Sequence, residues 1–149
     1  MTIRIVSFLA IVFTALALVP GGAHLFALLN KIGMSQDQYF VAQMAYRGWW
    51  MMAFILIPAM VTNLLFAFLL RDTGAPFWLA VIACVCMALT LAIFFTWTYP
   101  ANVETQNWTV APAHWEALRQ QWEYSHAASA AMNFIALCLI VLASLGLRR

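Results

Sequence analysis

The stretch "FWLAVIACVCMALTLAIFFTWTY", Phe77–Tyr99, decides the fold because it carries no charged side chain over its whole length. A helix needs about 20 apolar residues to cross the roughly 30 Å hydrocarbon core of a bilayer. Similar runs lie at about residues 5–29, 49–70 and 124–147, the last of them mainly apolar from Ala127. The four runs predict an all-α integral membrane four-helix bundle, forming one domain over residues 1–149.

The composition of the chain supports the same class of protein. Hydrophobic residues make up 66% of the sequence and charged residues 8%, whereas a soluble domain has about 45–50% and 25%. Strand-length segments of alternating polarity, which a membrane β-barrel requires, are missing from the sequence. The net charge of +2 comes without any basic run, so we expect the lipid bilayer as a partner and no nucleic acid.

The orientation in the membrane follows from the positions of the basic residues. One side of the predicted bundle carries Arg4, Arg71, Arg148 and Arg149, and the other carries Lys31, Arg47 and Arg119 together with most of the acidic residues. The positive-inside rule then predicts a bacterial inner-membrane protein with both termini in the cytoplasm. The first run extends to Leu29, which is longer than the apolar part of a signal peptide, so we expect a true span.

Two of the helices are expected to extend beyond the outer membrane surface. The segment "SQDQ", Ser35–Gln38, fits a capping box and predicts that helix 2 begins about three turns before the membrane. Pro112 suits the first position of helix 4, which would project in the same way. Pro100 is expected to end helix 3, because the residue before a proline disfavours helical angles.

The unusual residues gather at the outer end of the predicted bundle. One face of helix 4 carries Trp115, Arg119, Trp122 and His126, at positions i, i+4, i+7 and i+11. Glu123 can reach His126, and Arg119 can pair with Glu116 or Glu123. His24 lies at the depth of His126, and an ionisable residue inside a span indicates a functional site, although a neutral, structural histidine is the alternative for both.

Two segments of the chain resemble a known family. They are "YPANVETQNW", Tyr99–Trp108, after the third run, and the pattern W-x6-W-x3-H formed by Trp115, Trp122 and His126. The chain resembles the anthrone-oxygenase-like group of small four-span membrane proteins. The resemblance implies oxygenation of a lipophilic polycyclic phenol or anthrone without an evident organic cofactor, and its pocket residues would be Asn102, Trp108, Trp122 and His126. The "AAS" after His126 departs from the family pattern, in which an arginine is expected.

The leading hypothesis is therefore an oxidoreductase or oxygenase whose lipophilic substrate enters a pocket among the helices from the outer leaflet. His126 or His24 would act as the general base, since histidine titrates near neutral pH. Arg119 or Asn102 would stabilise the enolate oxygen. The remaining candidate substrate contacts are Tyr99, Trp108, Trp115, Trp122, Glu123 and Arg47. Of these, Tyr99 and Trp108 could instead be interfacial anchors.

Two alternatives stay open. Helix bundles bind haem or metal through histidines on facing helices, and His24, His126 and Glu123 could form such a site, Glu123 preceding His126 in a single E-x-x-H pattern. The third hypothesis is a non-catalytic subunit or ligand-binding module. The leading hypothesis needs no cofactor, and the sequence leaves homo-oligomerisation open.

Overall fold

The protein, described here from a computed structural model over residues 1–147, consists of helices joined by short connections. The α-helices are α1 (Thr2–Lys31), α2 (Gln36–Gln43), α3 (Ala53–Leu69), α4 (Ala75–Ile93), α5 (Tyr99–Glu104) and α6 (Trp115–Gly146). Short 3-10 turns occupy Met44–Tyr46 and Trp49–Met52, and a π-helical turn occupies Phe94–Thr98. Arg148 and Arg149, which contribute to the predicted orientation, lie outside the described residues.

Four helical segments are long and apolar enough to cross a membrane, which confirms the predicted four-helix membrane bundle. They are span 1 (Thr2–Lys31), span 2 (Trp49–Leu69), span 3 (Ala75–Glu104) and span 4 (Trp115–Gly146). Each span packs against the next in the chain, and span 4 packs against span 1, so the spans form a closed ring. The end of the bundle at which α1 ends and α6 begins is called the distal end below.

Span 4 is longer than a crossing of the bilayer requires, and its predicted extension beyond the outer surface stays a prediction. Its 32 residues correspond to about 48 Å at 1.5 Å per residue, well over the roughly 30 Å of hydrocarbon. The helix begins at Trp115 instead of at Pro112, so the predicted start was wrong by one turn. Pro112 belongs to the preceding turn, where its carbonyl accepts a hydrogen bond from the Trp115 N–H at 3.0 Å.

The predicted extension of helix 2 is helical but is not continuous with the span. The capping box at Ser35 and Gln38 forms as predicted and starts α2. The helix cannot run on into span 2, because Gly48 has a φ of 86°, in the left-handed region that glycine tolerates without a steric penalty. The chain therefore turns at Gly48, and α2 lies across the distal end with Tyr39 fully buried.

Pro100 does not end the third helix, contrary to prediction. A proline in a helix lacks one N–H and clashes with the carbonyl four residues earlier. The π-helical turn Phe94–Thr98 lies immediately before Tyr99 and Pro100 and widens the helix at the place of that clash. Gln121 of α6 donates a hydrogen bond to the Trp97 carbonyl within this turn, at 2.8 Å. Span 3 therefore continues to Glu104 and carries Asn102 to the distal end.

A close backbone approach between α1 and α6 aligns the distal halves of these helices. A Cβ atom added to Gly21 would lie 3.3 Å from both the Cα and the Cβ of Ala130. Small residues at a helix crossing allow such an approach within membranes. His24 lies one turn after Gly21, and His126 lies one turn before Ala130, so the crossing brings the two histidines to the same level.

We predict that Gly21→Val lowers the free energy of unfolding by about 1–3 kcal/mol, because the new methyl groups would push α1 away from Ala130. Gly22→Val is the matched control, since a Cβ there meets nothing within 4 Å. The measurement is denaturant unfolding in detergent, followed by circular dichroism. Equal losses in the two variants would contradict the proposed role of this crossing.

Candidate functional site

The two membrane histidines lie against each other at the distal end, at the common depth that the sequence predicted. The ring centroids of His24 and His126 are 4.2 Å apart, and the ring planes are inclined by 29°. Trp122 packs edge-on against both, with centroid distances of 4.8 Å to His24 and 4.1 Å to His126. Because the imidazole rings are in contact, a substrate cannot lie between them.

Lys31, the last residue of α1, joins this pair to a buried carboxylate. Its Nζ lies 2.8 Å from Glu123 Oε1, and the side chains are 4% and 0% exposed. The same Nζ lies 3.3 Å from His24 Nδ1. An ammonium group can only donate hydrogen bonds, so His24 Nδ1 must accept. His24 is therefore a neutral imidazole with its proton on Nε2.

Tyr39 continues the hydrogen-bonded chain from Glu123 toward α2. Its hydroxyl donates to Glu123 Oε1 at 2.9 Å and accepts a hydrogen bond from Gln43 Nε2. Burial, followed by the neighbouring Glu123 carboxylate, raises the pKa of Tyr39 far above its ordinary value of 10.0, so the hydroxyl remains protonated. The position of α2 across the distal end therefore gives Glu123 a second hydrogen-bond donor.

Aromatic rings enclose the Lys31 ammonium group. The centroids of Tyr46 and Trp122 each lie 5.0 Å from Nζ, within the range of cation–π attraction. Tyr46 also packs on His24 at 4.4 Å, and Trp49 lies 5.4 Å from the same ring. The two 3-10 turns flanking Gly48 supply these rings, so the break in helix 2 shapes the wall of the site.

Asn102 fixes the two tryptophans that cover the cluster. Its Oδ1 accepts hydrogen bonds from Trp122 Nε1 at 2.8 Å and from Trp108 Nε1 at 3.2 Å. Trp108 returns to the bundle through three consecutive left-handed residues, Gln106, Asn107 and Trp108, with φ of 48°, 55° and 64°. Left-handed angles are uncommon for residues other than glycine, and here they place a buried indole against Tyr39 at 5.0 Å.

The structure thus brings together six of the residues selected from the sequence: His24, His126, Trp122, Glu123, Asn102 and Trp108. Arg119 and Trp115 form a neighbouring layer, with the guanidinium 4.6 Å from the Trp115 ring and 5.6 Å from that of Tyr39. Arg119 Nη1 donates to the Met34 carbonyl at 2.6 Å. The expected pairings of Arg119 and of His126 with Glu123 are not formed. Lys31 and Tyr39 both bond Glu123 Oε1, and the buried Oε2 has no hydrogen-bond partner in the described part of the chain.

Two selected residues lie apart from this cluster. Tyr99 is half exposed and packs against Phe94 and Phe95. Arg47 is exposed in the turn before Gly48. Both predictions relied on nearness to the outer end of a span, which does not determine the direction of a side chain.

The residues that the sequence analysis missed are Lys31, Tyr39, Gln43 and Tyr46. A signal for Lys31 was present, because it follows His24 by seven residues, two turns along the same helix face. Tyr39 and Gln43 are likewise one turn apart. Their contact with Glu123 depends on the reversal of the chain at Gly48, which no helix pattern indicates.

The residues proposed as metal ligands do not fit a resident metal or haem. Within residues 1–147, no three His, Cys, Asp or Glu side chains lie close enough to hold a metal ion. His24 and His126 turn ring faces toward each other and leave no room for a macrocycle between them. The Lys31 ammonium group lies beside both Glu123 and His24 Nδ1, where its positive charge would repel a cation.

A groove that is open to the surface lies on another side of α6. It has a volume of about 430 Å³ and is lined by Ile93, Trp97, Ala117, Gln120, Gln121, Tyr124, Ser125 and Ala128. Ser125 holds the groove wall to span 3 through a hydrogen bond of 2.7 Å with the Thr98 hydroxyl. His126 does not line this groove. The groove is therefore separate from the group formed by His24, His126, Lys31, Trp122 and Glu123, which is called the histidine cluster below.

Comparisons of the chain with protein-family models, with curated proteins and with solved structures each found no match. The resemblance to the anthrone-oxygenase-like group therefore stays a prediction.

We predict that Lys31→Met destabilises the protein by about 3–5 kcal/mol, because it leaves the buried Glu123 carboxylate without its counter-charge. The double variant Lys31→Met, Glu123→Leu should recover most of that loss, since two apolar side chains can replace a buried pair. Unfolding in detergent measures both changes.

Asp72→Asn is the control for this pair, because the Arg71–Asp72 pair has side chains that are 55% and 86% exposed. An exposed pair contributes about 0–1 kcal/mol. If Lys31→Met costs no more than Asp72→Asn, or if the double variant is no better than the single one, the importance assigned to the buried pair is wrong.

Proposed function

We propose that this chain is a membrane-embedded oxygenase-type oxidoreductase that acts on a lipophilic aromatic substrate, a phenol, anthrone or quinol, with His126 as the general base. One observation carries the proposal: the half-buried His126 imidazole packs against a neutral histidine at the edge of a fully buried chain of hydrogen-bonded charges. An accessible base supported by a rigid polar cluster is typical of acid–base sites.

The hydrogen bonds favour His126 over His24 as the base. His24 Nδ1 is occupied by the Lys31 ammonium group at 3.3 Å, and its Nε2 carries a proton, so neither nitrogen of His24 can accept another. His24 then acts as a positioning residue, because its ring stacks on that of His126 and holds it in place.

The surroundings of the histidines favour a flat, apolar substrate. Tyr46 and Trp49 are partly exposed and pack on His24, so they offer ring faces beside the base. Lys31 supplies positive charge near the position at which an enolate would form. Arg119, the candidate chosen for that role from the sequence, is engaged with Met34 and Trp115 in the neighbouring layer.

The proposed reaction needs only molecular oxygen as a second reactant. His126 removes a proton from the activated carbon of an anthrone, and the resulting carbanion transfers electrons to oxygen as a carbon–oxygen bond forms. His126 returns its proton to the peroxide. Cleavage of the oxygen–oxygen bond, with loss of the second hydrogen from that carbon, releases water and leaves a carbonyl. In total, an anthrone and one oxygen molecule give a quinone and one water molecule.

We also propose a bacterial inner membrane as the location, with both termini in the cytoplasm and the distal end outside. The positions of the basic residues support this orientation. Arg4 and Arg71 lie at the end of the bundle that carries the termini, whereas Lys31, Arg47 and Arg119 lie at the distal end together with most of the acidic residues. The short loop between spans 2 and 3, with Arg71, and the N-terminal segment, with Arg4, therefore favour this side as the cytoplasmic one.

The test is oxygen uptake by the purified protein in nanodiscs with dithranol, a lipophilic hydroxyanthrone. His126→Gln should lower the rate at least about 100-fold, since a general base contributes 10²–10⁴. His114→Gln is the control, because His114 is exposed and pairs with Glu104 at 2.7 Å outside the cluster.

An unchanged rate in His126→Gln would contradict the assignment of the base. If the unmodified protein does not raise oxygen uptake above that of empty nanodiscs, the oxygenase proposal fails for this substrate. Saturable quenching of tryptophan fluorescence by dithranol without turnover would then support the ligand-binding module instead.

A further inference from the structure

A second cavity lies within the membrane-spanning part of the bundle, between spans 2 and 3. It has a volume of about 160 Å³ and is lined by Met60, Asn63, Leu64, Cys84, Met87 and Ala88. None of these residues belongs to the histidine cluster. Leu64 and Ala88 are exposed on the outside of the bundle, so the cavity can be reached from the bilayer.

Asn63 is the polar group of this cavity, and its side chain is fully buried. Its Nδ2 donates to Thr14 Oγ1 at 2.7 Å and to the Ala59 carbonyl at 2.7 Å. A backbone carbonyl can only accept, so the nitrogen of the amide must be the atom that faces Ala59. The orientation of the amide is thereby determined.

The amide oxygen of Asn63 is left without a partner. Oδ1 is buried and makes no hydrogen bond within the described part of the chain. Asn63 lines the cavity, and because both bonds of Nδ2 go to α1 and to α3 itself, we infer that Oδ1 is the atom that faces the cavity. A buried acceptor without a donor is costly, and the hydrocarbon tails of lipids have no donor to offer.

We propose that this cavity is a binding site for a small phenol, whose hydroxyl group donates to Asn63 Oδ1 and whose ring fills the apolar part. An apolar protein cavity of about 150 Å³ holds one benzene molecule, and this cavity is of the same size. Met60 and Met87 are flexible and polarizable, so they can adjust around a ring. The inference is independent of the proposed oxygenase function, which concerns other residues.

The experiment uses the full chain in nanodiscs, with 4-fluorophenol and fluorobenzene as probes in ¹⁹F NMR. The probes share a ring and differ in the hydroxyl group. We expect saturable binding of 4-fluorophenol that excess phenol displaces, with an affinity about tenfold higher than that of fluorobenzene, because only the phenol satisfies the buried oxygen.

Asn63→Leu keeps the side-chain size but removes the oxygen, so the preference for 4-fluorophenol over fluorobenzene should disappear. Ala88→Leu fills the cavity from its exposed side without touching the Asn63 hydrogen bonds, and it should abolish the binding of both probes even if Asn63→Leu fails to fold. Ala128→Leu, in the separate 430 Å³ groove, should leave binding unchanged.

Three outcomes would overturn the proposal: no saturable binding of 4-fluorophenol, equal affinity for the two probes in the unmodified protein, or full binding in Ala88→Leu. The readout is binding, so it is separate from turnover. His114→Gln, which lies outside both the cavity and the histidine cluster, should bind 4-fluorophenol normally. Because the Asn63→Leu and Ala88→Leu variants change residues that the oxygenase proposal does not use, a failure of that proposal would not affect this result.

Discussion

The buried ion pair between Lys31 and Glu123 is the constraint on which the distal end of the bundle depends. Both side chains are almost completely removed from water, and charges in such surroundings persist only when they are paired and hydrogen-bonded. Their partners come from three parts of the chain, with His24 on α1, Tyr39 on α2 and Trp122 on α6. The ion pair therefore links α1, α2 and α6 at the distal end.

The same ion pair explains why the two histidines differ although they lie in contact. The Lys31 ammonium group determines which nitrogen of His24 carries the proton. His126, in contrast, contacts His24 by ring stacking. His126 is partly exposed, while His24 is buried. One imidazole is therefore fixed by a hydrogen bond and the other is partly exposed. The cavity at Asn63 is separate from both histidines in position and in chemistry.

The spans and the stripe of residues on α6 could be predicted because they depend on local periodicity and on the thickness of the bilayer. The common depth of His24 and His126 followed from counting residues. The partner of Glu123 could not be predicted, because it depends on the position of α1 relative to α6 and on the turn at Gly48. Pro100 was misjudged for a similar reason: the effect of a proline depends on whether the preceding turn can widen.

The π-helical turn before Pro100 determines the direction in which the later side chains of span 3 point. A π turn contains one residue more than an α turn, and one residue corresponds to about 100° of rotation around a helix. A helical wheel drawn through Phe94–Thr98 as if it were α-helical would therefore point Asn102 away from Trp122, with which it forms a hydrogen bond. Winding this turn as α-helix with all of its residues kept would rotate Asn102 by about 100° and separate the tryptophans from their shared acceptor, whereas removing one residue from the turn would leave Asn102 facing Trp122.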